Sequence, residues 1–108
     1  MAVTLKLLNA GAVTASQVAI YTVPAGATGG AIVSNIRLVN TTAGALTVNV
    51  FFNPITGSTV RLIEVSKSIA AGDLLVIKPE LTLATSDAIE ASASATGIDF
   101  VVCGIERS

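Results

Sequence analysis

The chain comprises 108 residues, 52% of them hydrophobic and only 12% charged, with a formal net charge of −1 and no histidine. That length fits one domain, residues 1–108, large enough to bury a self-sufficient core. The lack of histidine removes Ser-His-Asp and Cys-His catalysis, and near-neutrality removes any field that would recruit nucleic acid or an anionic membrane.

Val, Ile and Thr account for 35 residues, and their branched side chains suit a pleated strand better than a helix. Turn signals recur at Asn9-Ala10-Gly11, Pro24-Ala25-Gly26, Thr41-Thr42-Ala43-Gly44, Asn53-Pro54, Ala71-Gly72-Asp73, Ser86-Asp87 and Thr96-Gly97. Their rhythm predicts strands over residues 2–8, 17–23, 31–40, 45–53, 59–69, 74–78, 88–94 and 98–106. In the third, Ile32, Ile36 and Leu38 are expected inward and Asn35 and Arg37 outward. Alternation is cleanest in the fourth, with Leu46, Val48, Val50 and Phe52 on one face and Thr47, Asn49, Phe51 and Asn53 on the other. In the seventh, Ile89, Ala91 and Ala93 oppose Glu90, Ser92 and Ser94. Such half-polar strands belong to antiparallel sheets. The phase breaks near Ile63-Glu64-Val65, which predicts a bulge or a strand that changes sheets. The pattern is that of an all-β, two-sheet antiparallel sandwich of about eight short strands, jelly-roll-like or immunoglobulin-like.

The last strand departs from alternation. Phe100 and Val102 serve the core, but Val101, Cys103 and Ile105 on the opposite face are apolar too. Such a strand must be covered twice, within the domain or by a neighbouring chain. Cys103 itself reads as a small buried hydrophobe, with no base or cationic cluster beside it to make it reactive. As a lone cysteine it provides neither an internal disulfide nor a zinc site. From Leu7 to Val60 the single charge is Arg37, whereas eleven charged residues lie between Arg61 and Arg107. The neutral stretch is either solvated by its Thr, Ser and Asn or serves as an assembly surface, since interface centres are depleted in charge. Edge strands without charged gatekeepers favour assembly. Tyr21 and Phe51, each flanked by core-like neighbours, are expected to point outward or to a sheet rim, as interface anchors or in partial burial under a loop. The candidate interface residues are Tyr21, Arg37, Phe51, Val101 and Ile105.

Other motifs yield little. Gly26-Ala27-Thr28-Gly29-Gly30 leads into a strand, where a phosphate site needs a helix N-terminus. Asn40-Thr41-Thr42 carries the glycosylation pattern without a secretory signal. The uncharged stretch from Leu7 to Ile36 is interrupted by Asn9, Gln17, Pro24 and several glycines, so no membrane span is expected. The carboxylates lack calcium-loop spacing, and Asp73 and Asp87 read as turn residues that bond their own backbone. Tyr21, Phe51, Phe52 and Phe100 are too few for a sugar-stacking platform or a single-strand groove. No catalytic, metal or cofactor-binding residue is assigned, and neither a cofactor nor a small-molecule substrate is expected.

Tyr21-Thr22-Val23-Pro24-Ala25-Gly26, with a strand ending Ile36-Arg37-Leu38-Val39-Asn40, resembles small β-sandwich virion proteins of tailed bacteriophages. Ser68-Ile69-Ala70-Ala71-Gly72-Asp73-Leu74 and Leu83-Ala84-Thr85-Ser86-Asp87-Ala88-Ile89 extend the resemblance over roughly residues 20–105. In that family a Val-Pro-Ala-Gly turn, an Ala-Gly-Asp turn and a Ser-Asp-x-Ile strand entry mark successive strands. The resemblance implies a non-enzymatic structural protein, a capsid decoration (cement) protein made in the host cytoplasm and carried on the capsid surface of the virion. The implied partners are the chain itself, as a homotrimer, and the major capsid protein. A tail, neck or head-fibre module is the alternative, and a cell-surface adhesion or ligand-binding module a more distant one. The lack of coiled-coil heptads or shaft repeats favours decoration over fibre.

Overall fold

The structure, a computed structural model, describes residues 3–107, the side chains of residues 3–6 excepted; residue 2 of the first predicted strand therefore lies outside the described residues. The described residues form strands and no helix: β1 (Val3–Val13), β2 (Val18–Thr22), β3 (Gly30–Asn40), β4 (Leu46–Asn53), β5 (Val60–Arg61), β6 (Lys67–Ile69), β7 (Leu74–Ile77), β8 (Leu81–Leu83), β9 (Ala88–Ala93) and β10 (Ile98–Arg107). They make two antiparallel sheets packed face to face. The first runs β1-β10-β3, with β7 and β8 sharing the far side of β3; the second runs β2-β9-β4, with β5 and β6 sharing the far side of β4.

Counting each shared pair as one interrupted strand, the chain crosses between sheets from β1 to β2, β3 and β4 and stays in the second sheet for the β5–β6 pair. It then returns through β7–β8 to β9 and β10. This order is a jelly roll, which decides between the two sandwiches the sequence allowed. The inner faces meet in a dry core that includes Val13, Ile20, Val33, Ile36, Leu38, Val48, Val50, Ile89, Ile98 and Val102, each at most 1% exposed. The alternation expected in β4 and β9 holds: Val48 and Val50 face Ala93 and Ala91 in register and are buried with them.

Two buried polar residues tie the ends. At one end Asn40 donates from Nδ2 to the carbonyls of Gly44 and Ile69, and its Oδ1 accepts from Thr42 N and Thr42 Oγ1. Fully buried and committed, this Asn40 amide is closed to a glycosyl transferase. At the other end Asp87 accepts from Ile55 N at 2.9 Å and from Ala84 N at 3.0 Å, joining two loops. Asp73 caps its own turn by accepting from Leu74 N. The turn roles expected of Asp73 and Asp87 are therefore real, and Asp87 adds a long-range tie.

Three bulges correct the simple alternation. In β1 the register slips between Leu7 and Asn9, so Asn9-Ala10-Gly11 is not a turn; it continues the strand along β10 as far as Val13. In β2 the slip falls between Ala19 and Tyr21 and turns both Ile20 and Tyr21 inward. In β3 the extra residue lies opposite the Cys103–Gly104 step, so Val33 rather than Ile32 faces the core. Ser34 Oγ donates to the Cys103 carbonyl there, at 3.0 Å, and supports the interrupted ladder. Gly104 makes room for this bulge: a Cβ at that position would stand 2.0 Å from the Ile32 carbonyl oxygen. The predicted strand 59–69 is two short strands separated by residues 62–66. Both pair with β4, so the phase break is a turn within one sheet and not a change of sheet. The short β8, which follows Pro79, was not anticipated.

Candidate interaction surface

Cα partners across a ladder point to the same side of a sheet, so the register assigns every outward residue. On the outside of the first sheet β10 contributes Asp99, Val101, Cys103 and Ile105. In register beside them β3 contributes Val39, Arg37, Asn35 and Ile32. Along the β7 edge Leu74 lies opposite Val39 and Val76 opposite Arg37. Along the β1 edge Leu7 lies opposite Cys103 and Ala10 opposite Val101. No described segment covers this face. Leu7 and Leu74 are half exposed and Val76 more than a third, while Ile32, Val39, Val101, Cys103 and Ile105 are partly screened by one another and their neighbours.

The outside of the second sheet is built from Thr47, Asn49, Phe51 and Asn53 of β4 and from Glu90 and Ser92 of β9. Its amides and its carboxylate are all partnered. Glu90 accepts from Gln17 Nε2 at 2.8 Å and from Asn53 Nδ2 at 3.0 Å, and Thr59 Oγ1 donates to Asn53 Oδ1. Asn49 Oδ1 accepts from Ser66 N at 2.8 Å and from the Arg61 guanidinium, which also lies 4.8 Å above the Phe51 ring. The exposed Ile55 and Val65 stand on turns beyond the strands of this face.

The five candidate interface residues therefore separate. Arg37 and Val101 are direct cross-strand partners, and Ile105 follows on the same face, opposite Ile32. Phe51 does point outward, but on the second sheet, where Arg61 covers it. Tyr21 does not point outward: the β2 bulge turns it into the core at 5% exposure, and its hydroxyl donates to Glu106 of β10 at 2.5 Å. Burial raises the phenol pKa above its ordinary value, and the hydrogen bond to Glu106 and that residue's negative charge push it further the same way.

Cys103 is a second correction. It is half-buried on the open face of the first sheet and not in the core, because the strict alternation of β10 places it beside Val101 and Ile105. The neutral stretch from Leu7 to Val60 is not one surface either: it supplies β1 and β3 to one sheet and β2 and β4 to the other, as jelly-roll interleaving requires. Leu74 and Val76 were overlooked, although Leu74-Leu75-Val76-Ile77 carries the same signal as β10, apolar side chains on both faces. Among the described residues no three of the Cys, Asp and Glu side chains gather as a metal-ligand set.

The fold and this surface define a jelly-roll sandwich with one finished outer face and one open apolar face. No protein-family model matches the chain, and none of the curated proteins compared with it matches.

Proposed function

We propose that the protein is a non-enzymatic structural component of a tailed-bacteriophage virion, a capsid decoration protein that stabilises the head through contacts with its own copies and with the major capsid protein. The observation that carries this reading is the uncovered face of the first sheet, apolar at Leu74 and Val76 of β7, at Ile32 and Val39 of β3 and at Val101, Cys103 and Ile105 of β10. Leaving such a face in water forgoes about 25 cal/mol for each Å² of apolar surface that a neighbour would cover, and patches of this kind mark association sites. The jelly-roll architecture recurs among viral capsid domains, which supports the reading by analogy of fold alone. The four turn-and-strand motifs supply the phage assignment.

Mechanically, a subunit that binds only the intact lattice shifts the equilibrium toward that lattice, by about 2.7 kcal/mol per site when present at a hundredfold excess over Kd. Repeated over a shell, such increments oppose internal pressure. Self-association would be required for a subunit that bridges neighbours, and the resemblance sets its number at three.

Incubating the purified protein with bare, expanded capsids and imaging the particles tests the reading. Density at regular positions on the shell is expected. Attachment to tails or necks alone moves the protein to another part of the virion, and a subunit indifferent to both shells and tails overturns the proposal.

A further inference from the structure

An edge strand leaves a row of main-chain groups without a ladder partner, and such a row is a template for a further strand. Most edges of this sandwich are blunted. β1 carries Lys6 and is broken by its bulge, where Asn9 Oδ1 occupies Ala10 N. β2 is broken by the bulge between Ala19 and Tyr21, and its Ile20 carbonyl accepts from Asn9 Nδ2. β5 and β6 are short and carry Arg61 and Lys67. β8 is short and follows Pro79. β7 differs: Leu74-Leu75-Val76-Ile77 has neither a charge nor a bulge.

The ladder with β3 decides which groups of β7 are free. Asn40 N donates to the Asp73 carbonyl at 2.9 Å. Hydrogen-bonded and non-hydrogen-bonded pairs alternate along an antiparallel ladder, so Leu75 and Ile77 exchange bonds with Leu38 and Ile36, while Leu74 and Val76 turn their N–H and C=O away from β3. Asp73 Oδ1 accepts from Leu74 N at 2.8 Å. The Leu74 carbonyl and both main-chain groups of Val76 find no partner among the described residues. They point along the plane of the sheet, at right angles to its open face, so a segment added here does not compete with a copy laid on that face. The same segment extends two apolar surfaces by one row. Leu74 and Val76 stand exposed on the outside, and Leu75 and Ile77 lie partly buried at the rim of the core.

A second β7 is a poor occupant. Antiparallel pairing of β7 with itself closes two copies and stops, against the three that the resemblance implies, and the other edges of a copy are bulged, charged or short. Resting on the virion reading, we propose that β7 takes an extended segment of the major capsid protein by strand addition. The segment bonds through its main chain to Val76 and to the Leu74 carbonyl, and its side chains are apolar on both faces. The exposed Asp73 and Lys78 bracket β7, so a basic residue at one end of the segment and an acidic one at the other complete the fit. One segment per copy is compatible with three copies.

Two substitutions at one position separate this mode from docking on the open face. Val76→Pro removes the edge-facing N–H without touching the β3 ladder, at a place where an edge strand tolerates proline. Val76→Ala trims the side chain and keeps the N–H. In cosedimentation with bare, expanded capsids Val76→Pro is expected to bind at least about tenfold more weakly than Val76→Ala, through one lost hydrogen bond and a capsid carbonyl left without a donor. Amide hydrogen exchange of the wild type decides the matter even if Val76→Pro fails to fold. In the chain alone Val76 N–H should exchange fast while Leu75 and Ile77 N–H, held in the β3 ladder, are protected. On capsids Val76 should become protected too, read residue by residue after release from the shells. Protection of Val76 in the chain alone means that the edge is already taken and overturns strand addition. Capsid binding with Val76 still exchanging fast, or with the folded proline and alanine variants equal, overturns strand addition and leaves the virion reading intact. A chain that binds no shell ends the virion reading and this partner with it.

Discussion

The two outer faces of this sandwich are made by the same kind of strand and end in opposite chemical states. On the second sheet β4 alternates strictly, and its outward Asn49 and Asn53 find partners in neighbouring strands and loops. Water can wet that face at no cost, because its polar groups are already placed. On the first sheet β10 and β7 stay apolar on both sides, and nothing described in the chain lies over the outer one. Both inner faces contribute fully buried residues to one core, so core formation does not explain the difference. A sandwich needs one apolar face per sheet; a second apolar face is surplus to folding and points to a neighbour.

The contrast depends on register, and register can be broken. Gly104→Ala drives a methyl group into the Ile32 carbonyl oxygen, an overlap with backbone that no rotamer relieves. Loss of about 3 kcal/mol or more is expected, in the range of severe core disruption, read as a lower denaturant midpoint at unchanged m-value. A one-residue shift in this pairing would send Ile32 inward and Val33 outward. A Gly104→Ala chain as stable as the wild type would mean that β3 carries no bulge. Next in size is a direct test of the faces. Val76→Lys with Val101→Glu should weaken self-association by about a hundredfold, equivalent to about 2.7 kcal/mol, while the thermal midpoint of the separated chain changes little. The matched pair Thr47→Lys with Ser92→Glu, on the second sheet, should alter association less than about twofold. Equal effects from the two pairs would erase the distinction between the faces.

A smaller effect separates a finished face from an open one within a single chain. Asn49 Oδ1 holds both Ser66 N and the Arg61 guanidinium, so Asn49→Ala should cost about 1–2 kcal/mol of stability and leave association alone. Arg37→Ala should show the opposite pattern, with less than about 0.5 kcal/mol of stability lost and weaker association. Chemical denaturation and light scattering on the same two samples check both.

Much of the architecture was legible because it follows from residue type. β-Branched content and punctual turns announce an all-β sandwich, and the alternation of β4 and β9 assigns their faces outright. Three things were not legible, each for a physical reason. A bulge costs one residue and leaves no compositional mark, so Ile32 and Tyr21 were assigned to the wrong side by counting in twos. Sheet order rests on pairings between strands distant in sequence, and neither turn residues nor alternation distinguishes a jelly roll from an immunoglobulin-like order. The break in residues 59–69 was visible as a loss of phase, but its nature depended on β5 and β6 both finding β4. The open face was half legible: β10 declared it through Val101, Cys103 and Ile105, whereas Leu74 and Val76 carried the same double-sided pattern unnoticed. Phe51 was correctly placed outward and still lies on the other sheet, because facing outward does not say which outside.

A pH-dependent effect lies between the sheets, where Tyr21 of the second sheet reaches Glu106 of the first. Burial, the hydrogen bond and the Glu106 charge all favour the neutral phenol, so the folded chain holds that proton above the ordinary phenol pKa of about 10. The unfolded chain, with an ordinary value, loses the proton first. The contribution of Tyr21 is therefore fully present below about pH 10 and declines as pH rises above it, by about 1 kcal/mol at pH 11. Tyr21→Phe has no phenol to titrate. It should cost about 1 kcal/mol at pH 7 through the lost hydrogen bond, and its deficit against the wild type should narrow between pH 9 and 11. Parallel denaturation curves across that range isolate the contribution, since the two chains differ in this hydroxyl alone. A deficit that stays constant with pH would place Tyr21 outside the core, against the β2 bulge that turns it inward.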